Sequence, residues 1–308
     1  MCLIVLSIKP NKNYKLVLSS NRDEFYDRPT ENMHWWQTNP KVLAGKDKNF
    51  DGTWMAMTEF GKFADVTNVK EFTSLSTRHK SLEELSSRGD LVKNFVMSDY
   101  TAEEYINTFK GLDYQGFNLI LFDGQEAIVC SNRGLEKKLD EGITYAIGNR
   151  PLEQKSEKLK SAEKDFKNIL DSNISSKSLF KMMQLPKNEP LEFSKAFTKE
   201  NHGEEFPYRF IETDIYGTRS TTTITIDQNN KAEILETTFD KNSQIIMHQI
   251  TLITLLSAAI VFFILRPIYM KDIVDYKFKT LADILAFLFL SWVVGTVLGL
   301  LLAMNLAP

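Results

Sequence analysis

Two cysteines in 308 residues cannot make a disulfide framework or a zinc site, and both fit a reducing compartment. Histidine is nearly as scarce: His34, His79, His202 and His248 are scattered without the close spacing that metal ligation needs. No Walker sequence and no G-x-G-x-x-G occurs, so nothing in the chain asks for a nucleotide cofactor. An excess of one charge is missing too. With 37 basic and 40 acidic residues the formal charge is −3 and the pI about 5.9, without the basic field that a phosphate backbone needs. Nucleic acid is therefore not an expected partner. A charge-rich disordered chain is excluded by the 43% of hydrophobic residues, enough for a core.

The charges that are present are unevenly spread. Residues 241–308 hold five Lys/Arg and three acids, leaving 32 and 37 in residues 1–240. The sequence predicts a mildly acidic domain over 1–240 and a membrane tail over 241–308. Two runs of 21 residues, 245–265 and 284–304, lack formally charged side chains. Each is long enough for a helix to cross a bilayer core of about 30 Å. Gly295 and Gly299 form a G-x-x-x-G that would let a second helix approach closely. Arg266, Lys271, Lys277 and Lys279 in the linker favour a cytoplasmic linker by the positive-inside rule. The amino terminus has no secretory signal, however, so the expectation is an integral membrane protein whose domain faces the cytoplasm.

Period-two alternation predicts strands at Leu3–Ile8, Leu16–Asn21, Thr53–Thr58, Lys62–Asn68, Phe117–Phe122, Ala127–Ser131, Thr144–Ile147, Thr221–Ile226 and Ala232–Thr237. Short turn-type connections such as Phe60-Gly61 and Asp123-Gly124 make these antiparallel hairpins. Helical segments fall around Leu91–Lys110 and Gln154–Leu185, and Thr101 with Glu104 has capping-box spacing. Strand-rich ends with helical blocks between them describe an α+β layered domain.

Cys2 stands out by position. Removal of Met1 would leave a residue with both a thiol and an α-amine whose reference pKa is about 7.7 to 8.0. Nucleophile and general base would then share one residue; a retained methionine would turn that nitrogen into a non-basic amide. By position alone Cys2 reads equally as a small buried hydrophobe, as Cys130 does within its apolar strand run. Trp35 and Trp36 read either as a wall or lid near a site or as packing.

Further motifs narrow the choice. Asn21-Arg22-Asp23-Glu24 closes a predicted strand, followed by Phe25-Tyr26-Asp27-Arg28-Pro29-Thr30, Leu43-Ala44-Gly45-Lys46-Asp47, Gly52-Thr53-Trp54 and Val66-Thr67-Asn68. Ser87-Arg88-Gly89, Gly116-Phe117-Asn118-Leu119, Gly148-Asn149 and Tyr216-Gly217-Thr218-Arg219-Ser220 continue in order. These blocks resemble the NRDE family, also called the transport and Golgi organisation protein 2 family, over residues 1–240. The two apolar runs depart from its usual soluble members.

The resemblance implies an αββα sandwich of two antiparallel sheets similar to N-terminal-nucleophile hydrolases. Among those the choloylglycine hydrolase and penicillin V acylase group is nearest in pattern. It implies Cys2 as nucleophile, Arg22 and Asp23 holding thiol and amine, Asn68 donating to the oxyanion, and Asn149 and Arg219 completing the site. A guanidinium beside Cys2 is expected to favour the thiolate. The implied activity is a cysteine amidohydrolase or acyltransferase acting on an amide or thioester of an acylated small molecule, with no cofactor needed for hydrolysis. The alternative implied by relatives is a binding or trafficking protein for haem, lipid or acyl-CoA. No C-x-x-C-H motif supports haem.

Overall fold

A computed structural model describes residues 2–69, 84–196 and 206–254. These lie in one unit that runs to Leu255, and a second unit, Leu256–Pro308, falls outside the described residues.

The described strands are β1 (Cys2–Asn11), β2 (Tyr14–Phe25), β3 (Thr30–Trp36), β4 (Val42–Asp47), β5 (Met55–Thr58), β6 (Phe63–Asn68), β7 (Phe117–Phe122), β8 (Ala127–Ser131), β9 (Lys137–Lys138), β10 (Thr144–Ile147), β11 (Tyr216–Asp227), β12 (Lys231–Phe239) and β13 (Ile245–Thr254). They form a six-stranded sheet ordered β10-β1-β2-β11-β12-β13 and a seven-stranded sheet ordered β3-β4-β5-β6-β7-β8-β9. Neighbouring strands in both sheets pair antiparallel.

Alternating side chains sort into layers. Ile4, Leu6, Leu16, Leu18, Ile224 and Ile234 of the first sheet meet Met55, Met57, Phe63, Ile120 and Val129 of the second in one buried cluster between the sheets. The opposite face of the first sheet, with Leu3, Val5 and Val17, is covered by α3 (Glu157–Ser172) and α4 (Ser176–Met183) through Leu159, Phe166 and Leu179. The outer face of the second sheet, with Ala64, Val66 and Leu119, is covered by α1 (Arg88–Met97) and α2 (Ala102–Ile106) through Leu91, Phe95 and Tyr105. The layer order is therefore the αββα expected, in an α+β domain of two antiparallel sheets. Helix starts are sharp because side chains satisfy their free N–H groups: Ser87 caps α1 and Ser156 caps α3, and Thr101 with Glu104 forms the predicted capping box of α2.

The nine predicted strands are present; β3, β4, β9 and β13 were not expected. The last corrects the tail. Ile245–Thr254, the start of the first expected membrane span, is an edge strand hydrogen-bonded along β12 from Lys231 to Phe239. Its Ile and Thr residues suit a pleated strand, Ile253 turns inward onto the core, and Ile246, Ile250 and Leu252 point out. An apolar run reads alike as helix or strand until a partner edge is available to pair with it. Among the described residues no helix is long and apolar enough to cross a membrane. Residues 255–265, the second expected span at 284–304 and the glycines Gly295 and Gly299 lie outside the described residues.

Candidate functional site

The β1–β2 hairpin builds the site. Its turn carries a bulge: Ile8 faces Leu16, whereas Asn11 faces Tyr14, a shift of one residue. Beyond that bulge the register places Cys2 opposite Arg22. Without the bulge Cys2 would face Asp23, and the inward and outward faces of one strand would exchange. Alternation then splits the motif Asn21-Arg22-Asp23-Glu24. Asn21 points to the helix-covered face, donating to the carbonyls of Met183 (3.0 Å) and Arg209 (2.8 Å), and is structural. Arg22 points between the sheets.

Cys2 borders a cavity of about 160 Å³ whose lining includes Arg22, Asp23, Trp54, Asn68 and Arg88. Its backbone nitrogen donates to Asn149 Oδ1 at 3.0 Å, and its thiol accepts the backbone N–H of Asp23. Asn149 is 2% exposed and donates through Nδ2 to the Asn68 carbonyl at 2.7 Å, tying the start of β1 to the end of β6 across the two sheets. The loop bearing Asn149 is itself pinned: Thr67 Oγ1 donates to Gly148 O (2.7 Å), and Asn118 Nδ2 to Gly148 O (3.1 Å) and Arg150 O (2.8 Å). Asp23 is fixed by the neighbouring strand, its carboxylate accepting the Thr218 hydroxyl at 2.7 Å and its carbonyl the Tyr216 hydroxyl at 2.9 Å. Asn68 sits exposed at the rim.

Arg22 is 6% exposed and lies over the Trp54 ring, its guanidinium carbon 4.1 Å from the centroid. Gly45 makes room for that indole, since a Cβ there would meet Trp54 at 2.3 Å. Glu24 also lines the cavity and pairs with Arg28 at 3.6 Å, while Arg28 reaches Asp47 at 2.6 Å.

Five of the six predicted site residues thus converge, namely Cys2, Arg22, Asp23, Asn68 and Asn149. Arg219 does not join the Cys2 cavity. It occupies a bulge between Thr218 and Ser220, donates to the carbonyls of Phe25 (2.9 Å) and Tyr26 (3.1 Å), and lines a separate small cavity on the other side of Arg22. Its charge reaches the site only through Arg22, whose pKa burial lowers and Arg219 lowers further.

The thiol also departs from expectation. Burial pushes the Cys2 pKa up, and the carboxylates of Asp23 and Asp65 act in the same direction, against the positive amino terminus and the Asp23 N–H. At rest the thiol is protonated, and a base must take its proton before it can attack. Trp35 and Trp36 lie on β3 rather than in a loop, the first against the intersheet core and the second against the outer cluster.

Two acids went unnoticed in the sequence. Asp65 on β6 is 2% exposed, takes a hydrogen bond from the Ser20 side chain, and has one oxygen without a partner; burial holds its pKa well up. Glu236 on β12 is 1% exposed, accepts the Met33 N–H at 2.8 Å, and is pushed up by burial to about 7. Each interrupts an otherwise apolar strand, in Phe63-Ala64-Asp65-Val66 and Ile234-Leu235-Glu236, and that interruption was the available signal.

A buried thiol at a strand start, with its own nitrogen held by an amide and a guanidinium stacked beside it, defines a cysteine-centred site between two sheets. Residues 1–241 match the family described as Transport and Golgi organisation 2, and the chain belongs to that family. Its relatives include the Transport and Golgi organization 2 homolog of Mus musculus, 29% identical over 263 residues, spanning 77% of this chain and 92% of the relative. The Homo sapiens homolog is 29% identical over 265 residues with the same coverage, and the Drosophila melanogaster protein is 26% identical. Among solved structures, the Caenorhabditis elegans N-acylethanolamine-hydrolyzing acid amidase ortholog aligns with a TM-score of 0.45 at 9% identity, covering 73% of this chain and 92% of that one. A C2A mutant of the conjugated bile acid hydrolase from Clostridium perfringens aligns with a TM-score of 0.47 at 10% identity, covering 82% and 92%.

Proposed function

We propose that this protein is a cysteine N-terminal-nucleophile hydrolase or acyltransferase for an amide or thioester of an acylated small molecule. The observation that carries the reading is the separate anchoring of both reactive atoms of one residue: the Cys2 nitrogen on Asn149 Oδ1 at 3.0 Å and its sulfur on the Asp23 N–H, at the edge of a cavity.

With Met1 removed, the α-amine takes the thiol proton and the sulfur bonds to the substrate carbonyl carbon. The carbonyl electron pair moves to oxygen, where the Asn68 side chain at the rim is the available amide donor; one such donor contributes about 2.7 to 4 kcal/mol. Collapse expels the amine or thiol, which leaves with the proton held by the α-ammonium. Water then adds to the acyl-thioester, its proton passing to the α-amine, and the acid departs as the thiol re-forms. Asn149 orients the amine throughout. The raised thiol pKa suits this sequence, because the amine supplies the base that the resting thiol needs. A cavity of about 160 Å³ lined by charged side chains suits a compact polar group and not a haem, the ligand of the alternative reading.

The test is intact-mass analysis of the natively expressed amino terminus, with turnover of an amide and thioester panel by wild type and Cys2→Ala. A chain that begins at Cys2 and loses activity by about 10³-fold or more on substitution is the expected result. Retention of Met1, or turnover by Cys2→Ala, overturns it.

A further inference from the structure

The charged groups of the Cys2 cavity are not equally engaged. Arg28 is held by Asp47 and Glu24, and Asp23 by the Thr218 hydroxyl. Arg22 is 6% exposed, rests on Trp54, and finds no hydrogen-bond acceptor and no carboxylate at ion-pair distance among the described residues. Arg88 makes one hydrogen bond, from Nη1 to the Gly116 carbonyl at 3.2 Å, and likewise has no ion-pair partner among them. Glu24 lies within Coulombic reach of both guanidiniums and Asp47 within reach of Arg22, yet both acids are bound to Arg28.

A guanidinium carries five donors and does not deprotonate, so burial with most donors unmet is costly unless a ligand meets them. The wall that carries Arg88 is the first turn of α1, a helix of ten residues whose free N–H groups and dipole favour negative charge. Close backbone approach positions that turn: a Cβ on Gly89 would meet the Thr53 backbone at 2.9 Å, so α1 sits directly against the Gly52–Thr53 segment lining the same cavity.

We infer that Arg88 and Arg22 form an anion subsite that takes a compact oxyanion, a carboxylate or a phosphate, carried by the substrate close to the carbonyl that Cys2 attacks. The word substrate rests on the reading of Cys2 as a nucleophile; the anion subsite does not. The planar fork of each guanidinium matches either oxyanion with paired hydrogen bonds.

Iodoacetate and iodoacetamide probe this directly, being nearly isosteric thiol reagents of which only the first is anionic. Alkylation of the full chain is followed at Cys2 by peptide mass spectrometry, with glutathione as the reference thiol. The expected ratio of iodoacetate to iodoacetamide rate at Cys2 is about tenfold or more above that of glutathione. Arg88→Met should lower it by a similar factor, and Arg88→Lys should restore part of it. Inorganic phosphate and acetate should each slow iodoacetate labelling of wild type, the stronger protector identifying the preferred oxyanion. A Cys2 ratio equal to that of glutathione, or one unchanged in a folded Arg88→Met protein, overturns the inference. If that variant does not fold, absence of protection of wild type by both anions overturns it. The two readings separate cleanly: retained Met1 with a persistent iodoacetate preference removes the hydrolase and keeps the subsite. Equal cleavage of neutral and anionic amides does the reverse.

Discussion

Three successive rows cross the inner face of the first sheet, each one strand repeat of about 7 Å from the next. The first runs Leu6, Leu18, Ile224, Ile234 and is wholly apolar; the second runs Ile4, Ser20, Thr222, Glu236; the third runs Cys2, Arg22, Ser220, Thr238 and holds no aliphatic residue. One sheet thus serves two purposes along the same strands. The apolar end locks the two sheets together, while the polar end leaves acceptors of Asp65 and Glu236 unmet in the buried space beside Arg22. Such groups do not stabilise a fold, and their concentration at one end marks the end at which chemistry occurs.

The contrast is open to direct challenge. Leu18 is fully buried in the first row, and Leu18→Ala should cost about 2 to 5 kcal/mol of unfolding free energy, measured by urea denaturation. A loss under about 1 kcal/mol would show that the apolar end is not what holds the sheets.

In the second row, Glu236 has its folded pKa raised to about 7, from an ordinary value of 4.5. Between those values the unfolded chain gives up a proton that the folded one keeps, so stability is greatest below the unfolded pKa and falls as pH rises through the folded one. The fall from this group is on the order of 3 kcal/mol. Glu236→Gln keeps an acceptor for the Met33 N–H and should abolish that share. Its stability relative to wild type should therefore rise between pH 4.5 and pH 8, by guanidinium or thermal unfolding at each pH; a constant difference would mean that Glu236 is charged in the folded protein.

The smallest effect belongs to Ser20→Ala, which removes a hydrogen bond to Asp65 that favours its charged form. The expected cost at neutral pH is about 1 kcal/mol or less, because Asp65 is already held neutral by burial. A cost near that of Leu18→Ala would erase the distinction between the rows. The two thiols extend the comparison: Cys130, in the apolar strand β8 and pushed up by burial to about 12, should stay unalkylated in the folded protein while Cys2, at the cavity, reacts.

Much of this was legible in order along the chain. The alternation in Leu3–Ile8 and Leu16–Asn21, the capping box at Thr101 and Glu104, and the helical stretch after Gln154 are short-range patterns, and each appears where expected. Five site residues were legible from motif blocks alone. The strands β3 and β4 were not, because Thr30–Trp36 mixes polar and aromatic residues without clean alternation and Val42–Asp47 carries a glycine. Nor was the departure of Arg219, whose direction is decided by a bulge.

The sequence by itself determined the class of fold, the two-sheet layering, the family and the residues gathered around Cys2, since these follow from local periodicity and from motifs in linear order. Only the tertiary structure decided which way each of them points and what state it holds. A one-residue bulge sets Cys2 against Arg22, another turns Arg219 away, an available edge on β12 makes a strand of Ile245–Thr254, and burial between the sheets raises Cys2, Asp65 and Glu236 together. Register, edge pairing and desolvation depend on residues far apart in the chain, and no local pattern encodes them.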